Sequence, residues 1–337
     1  MFFFSAEDNT ADENVNAPMI PECAVGKTKV FRYSAVGIAL IAALFRSLSL
    51  VFSFDSDPGY FVSGAFLPTV ANILTLIGVC WCAMPLFLIP RDVLPKKADF
   101  STGGVYFTSV YTGFIMIADA GYRLYNILQP KAREEIRMYF AHPEMRTQRI
   151  VAIVSIACIV ISALGGISFY FKAPGKNGKK GSAILGLFPV IRSVCGIALC
   201  YFDMTVPLNS PLKTGTEFAL MAMMLFLTYE VRFDLYEEKV MPRAYFASGL
   251  AVLVICGVNG FSGIVAYFGG YCVNGELSIE AFIISTLFFY ALARLKAYCE
   301  NRGVPLTADG DENETEDITV TDCARDDDNG NSGGDIK

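Results

Sequence analysis

Apolar residues fall along this chain in eight blocks, most close to twenty residues long, separated by short polar links. The blocks cover Tyr33–Phe54, Pro68–Ile89, Val105–Leu128, Ile150–Phe171, two runs within Leu187–Leu235, Ala244–Tyr271 and Leu277–Ala297. About twenty apolar residues is the length that an α-helix needs to cross a bilayer. Blocks of that length, rather than one-sided stripes, predict helices surrounded by lipid. The expected fold is an all-α polytopic integral membrane helical bundle of about eight transmembrane helices, over residues 31–299. Acidic tails, 1–30 and 300–337, flank it and lack the apolar content to fold alone.

Breaks inside the blocks refine this picture. Pro85 lies near the end of the second block, and Pro189 near the start of the fifth predicts a kink there. Gly165-Gly166 marks a close-packing point in the fourth. Gly257, Gly260 and Gly263 give the seventh a small-residue face, which fits a neighbouring helix or self-association with a second copy.

Orientation follows from Lys and Arg in the links. With the N-terminus inside, cytoplasmic segments hold Lys27, Lys29, Arg32, Arg91, Lys96, Lys97, Lys172, Lys176, Lys179, Lys180, Arg232, Lys239, Arg243, Arg294, Lys296 and Arg302. The links Asp55–Leu67 and Cys272–Glu276 hold none. This asymmetry predicts two cytoplasmic termini and a plasma-membrane location. One link dissents: Lys131, Arg133, Arg137, Arg146 and Arg149 would lie outside. Whether 105–128 is a full span decides where that link goes.

Composition narrows the function classes. With 53% hydrophobic residues the chain exceeds an ordinary soluble domain, and its net charge of −6 comes largely from the tails. No basic patch is interleaved with stacking aromatics, so nucleic acid is not an expected partner. The expected partners are the lipid bilayer, and a protein at the acidic tails. Six of the ten cysteines sit in apolar runs, where Cys acts as a small hydrophobe, and Cys80-Trp81-Cys82 lacks redox or zinc spacing. His142 is the single histidine and lies in a link. Neither a metal nor a cofactor nor a catalytic triad is indicated.

The informative residues are charges inside apolar blocks: Arg46, Asp119, Arg192 and Glu230 form the candidate intramembrane polar site. Such charges need a partner or a function. Asp119 and Arg123, four apart, predict a pair on one helix face, as do Lys213 and Glu217. Depth counted along the helices pairs Arg46 with Asp119. Side-chain lean pairs Arg192 with Glu230 rather than Glu217. These features suit a non-enzymatic membrane sensor or scaffold, or else a small-solute or ion transporter built on the four charges.

Overall fold

The computed structural model describes residues 22–55, 59–89, 94, 98, 100–173, 184–203, 206, 207, 209–235, 241–271 and 275–300. Residues 1–21 and 301–337 of the tails and the basic turn 174–183 lie outside these residues, whereas residues 22–30, expected in the N-terminal tail, open the first helix.

Ten helices are described: α1 Glu22–Ser53, α2 Phe66–Ala83, α3 Pro85–Leu88, α4 Gly103–Leu128, α5 Pro130–Ala141, α6 Arg146–Lys172, α7 Leu187–Phe202, α8 Pro211–Leu235, α9 Pro242–Phe268 and α10 Gly275–Glu300. The fold is all-α apart from a two-residue hairpin, β1 Phe54–Asp55 and β2 Tyr60–Phe61, turned at Gly59. Local sequence sets the boundaries. Thr102 caps α4 by accepting from the Val105 amide. Gln129 is extended because Pro130 follows it, and Pro130 then opens α5. Pro85 divides α2 from α3. Pro189 stands in the first turn of α7, just after a break in the helical run at Gly186, with Ile184 and Leu185 helical before it.

Cross-helix contacts fix the direction of each long helix. Arg32 at the start of α1 is paired with Glu300 at the end of α10, which defines a lower end of the bundle. Arg46 reaches Asn72 near the upper end, while Phe31 meets Trp81 lower down, so α2 descends. By the same reasoning α4 rises, α6 descends, α7 rises, α8 descends, α9 rises and α10 descends. Eight long helices therefore alternate in direction.

Five of them, α4, α6, α7, α8 and α10, close into a ring in which each packs on its neighbours. Outside the ring α9 lies against α8 and α10, and α1 and α2 cover α9. Glycines permit the tightest approaches. A methyl group on Gly166 would come 2.6 Å from Ile117 of α4, and one on Gly113 would come 2.8 Å from the Gly166 carbonyl. The small-residue face of α9 is filled within the chain. Gly257, Gly260 and Gly263 meet Phe288, Ser285 and Ala281 of α10, so these glycines serve packing inside one molecule.

Among the described residues, five helical segments are long and apolar enough to cross a membrane: Gly26–Ser53, Phe66–Leu88, Arg146–Lys172, Pro242–Phe268 and Gly275–Glu300. Large apolar side chains such as Leu44, Leu76, Phe107, Phe114 and Val160 face outward, as they would toward lipid. The molecule is a membrane protein by these features. The expected count of eight exceeds the five, and the shortfall has a physical pattern. The remaining long helices are α4, α7 and α8, all members of the ring. All three carry interior charge, and α7 also has only 16 residues.

Candidate functional site

The ring encloses two ionic clusters at different depths. In the upper one, Arg192 from α7 stands between two acids. Its Nη2 donates to Asp119 Oδ2 at 2.9 Å and to Glu280 Oε1 at 2.8 Å, and its Nη1 donates to Glu280 Oε2. Arg123 binds the same acids, with Nε to Asp119 Oδ1 at 2.8 Å and Nη2 to Glu280 Oε1 at 3.0 Å. Ser162 of α6 donates to Asp119 Oδ2 at 2.6 Å. Two acids and two guanidinium groups, all buried, thus join α4, α6, α7 and α10.

Helical spacing explains the convergence. Asp119 and Arg123 are four apart and share one face of α4. Ser162 lies on the α6 face that Gly166 brings against α4, and Gly196 leaves room on α7 for the charges, since a methyl group there would come 3.2 Å from Arg192 Nη1. A small cleft with room for about one water molecule, lined by Gly196, Cys200, Asp203, Glu276 and Glu280 among others, reaches this cluster.

The lower cluster centres on Glu230 of α8. Its Oε2 accepts from Lys172 Nζ at 3.0 Å, and its Oε1 lies 2.9 Å from Arg294 Nη2 and also accepts from the Tyr290 hydroxyl. Arg294 is 3.5 Å from Asp234 and lies over the Phe100 ring, 3.5 Å from its centroid. Ten residues of α6 separate Ser162 from Lys172, so the clusters stand about 15 Å apart in depth. Met116, Phe169, Met223 and Leu287 occupy the intermediate levels, all fully buried in one apolar core.

Of the four residues singled out from sequence, the structure brings Asp119 and Arg192 into direct contact. Glu230 lies in the other cluster, and Arg46 lies outside the ring. The expected pairing of Arg192 with Glu230 is overturned. Measured along α7 and α8 from their upper ends, Arg192 is about 15 Å deep and Glu230 about 28 Å. Side-chain lean cannot close that gap when Asp119 and Glu280 stand at the level of the arginine. The pairing of Arg46 with Asp119 also fails, because equal depth does not make two helices neighbours. Arg46 donates instead to Asn72 Oδ1 at 3.0 Å and to the Pro211 carbonyl at 2.7 Å. The Asp119–Arg123 pair is present. Lys213 is not joined to Glu217: its ammonium donates to the Tyr201 and Asp203 carbonyls at the end of α7. One Glu217 carboxylate oxygen is buried without a hydrogen bond.

Sequence reading passed over Glu280, Lys172, Arg294, Tyr290 and Ser162. Lys172 and Arg294 were assigned to cytoplasmic segments because they sit at block ends. A signal did exist on α10: Glu280, Ile283, Leu287, Tyr290 and Arg294 recur at helical spacing, with a charge at each end of one face. Cys80, Cys82, Cys158, Cys195, Cys200, Cys256 and Cys299 are free thiols. Among the described residues no group of three or more His, Cys, Asp and Glu is placed to hold a metal ion.

Comparison of the chain with protein-family models, with curated proteins and with solved structures finds no match.

Proposed function

We propose that this chain is a non-enzymatic membrane sensor or scaffold that crosses the plasma membrane eight times, with both termini in the cytoplasm. The observation that carries the reading is the pairing of charge inside the ring. Asp119, Glu280 and Glu230 each contact two bases, and Arg123, Arg192, Lys172 and Arg294 each contact at least one acid. Interior charge is thus spent on holding helices to one another. The acidic tails then supply the contact with a protein partner. Eight crossings are supported by the strict alternation of helix direction and by the 26-residue length of α4, about 39 Å of helix. On this reading the basic 130–149 link faces outward, against the general bias of the links.

A second reading, a small-solute or ion transporter using Arg46, Asp119, Arg192 and Glu230, is favoured by the small cleft that reaches Glu280. Reconstitution separates the two. Purified protein in proteoliposomes should show neither uptake nor leak across a broad panel of ions and small solutes. Flux that disappears in Arg192→Gln, with the variant still folded, would select the transporter.

A further inference from the structure

Among the described residues, seven Lys or Arg side chains are nine-tenths or more buried: Arg32, Arg46, Arg123, Lys172, Arg192, Lys213 and Arg294. Five are within 4 Å of a carboxylate. Lys213 holds two carbonyls at the C-terminal end of α7, where the helix dipole is negative. Arg46 has no acid within that distance among the described residues. Its partners are neutral, the Asn72 amide oxygen and the Pro211 carbonyl, and its buried Nε makes no hydrogen bond. It also stands against the first turn of α8, the positive end of that helix. Two sources of positive potential therefore converge with no acid opposite them.

We propose that Arg46 is the core of a binding site for a monovalent anion near the upper surface, a site separate from the ionic clusters. Arg46 lies seven residues below the end of α1, about 10 Å of helix. The Phe61 ring of the hairpin covers it, 5.6 Å from the guanidinium carbon. Gly215 keeps the far side tight, because a methyl group there would come 3.3 Å from Arg46 Nη2 and 2.3 Å from Asn259 Oδ1. The open side is at Asn72, which is exposed on α2. Its Oδ1 is taken by Arg46, so its amide N–H groups are left to donate to the same anion. The chemistry is one compact group of net negative charge, which either an anionic lipid headgroup or a dissolved halide supplies and zwitterionic phosphatidylcholine does not.

The test is the melting temperature of the full chain in nanodiscs at constant ionic strength. One arm replaces gluconate by chloride in neutral phosphatidylcholine discs. The other replaces phosphatidylcholine by phosphatidylglycerol in gluconate. A ligand that binds only the folded state raises the melting temperature saturably. The expected result is such a rise in one arm, which also identifies the source. It should vanish in Arg46→Gln, and Asn72→Ala should weaken the midpoint about tenfold through loss of one charge-assisted bond. No rise in either arm, or an equal rise in Arg46→Gln, overturns the proposal. If Arg46→Gln does not fold, an unchanged midpoint in Asn72→Ala overturns it.

Discussion

The upper and lower clusters solve the same problem, charge inside an apolar ring, with different degrees of redundancy. In the upper one each acid touches two arginines and each arginine touches two acids, so losing one group leaves every other group with a partner. In the lower one Glu230 alone serves Lys172, Arg294 and Tyr290. Arg294 keeps Asp234 at 3.5 Å if Glu230 is neutralised, but Lys172 keeps no acid among those it contacts. A shared lattice tolerates loss better than a hub does. The same four-helix linkage that costs desolvation energy also gives the upper cluster its redundancy.

The largest effect should come from removing the hub. Glu230→Gln is expected to destabilise the folded protein by about 3–5 kcal/mol, because it strands a buried base. Chemical or thermal unfolding in detergent measures it, and wild-type stability in this variant would dissolve the distinction between the clusters. Adding Lys172→Met to Glu230→Gln should recover part of the loss, since the stranded charge is gone. Additive losses in that cycle would show that the 3.0 Å pair carries no coupling.

A smaller effect is expected in the lattice. Arg192→Lys keeps the charge but replaces a planar fork that spans two carboxylates by a single point donor. A loss of about 1.5–3 kcal/mol is expected, the range for charged hydrogen bonds. A loss as large as that of Glu230→Gln would mean that the upper cluster is no more redundant than the lower. The smallest effect in this series belongs to Tyr290→Phe, about 1 kcal/mol, because it removes one hydroxyl while both bases still hold Glu230. Unfolding midpoints of the three single variants should therefore fall in that order.

Much of the architecture was legible in the sequence because block length and link composition are one-dimensional properties. The eight blocks correspond to the eight long helices, and Gly165-Gly166 does mark a close approach. The Asp119–Arg123 pair was legible for the same reason, since its spacing lies within one helix. What the sequence did not carry was which helix neighbours which. Arg192 meets Asp119 because α4 and α7 both pack on α6 in a closed ring, and no count of residues from a helix end contains that fact. Lys172 and Arg294 were hidden by position: at block ends they resemble ordinary cytoplasmic flanks, although both are buried. Glu280 was hidden similarly, three residues inside its block.

The ring depends on α4 crossing from the lower to the upper end, although its charges keep it below the apolarity of an ordinary span. Reporter domains inserted after Lys97 and after His142 test this most directly, because they flank α4. The two insertions should lie on opposite sides of the membrane, the Lys97 insertion cytoplasmic and the His142 insertion external. Both reporters on one side would contradict it, because α4 could not then deliver Asp119 and Arg123 to the cluster.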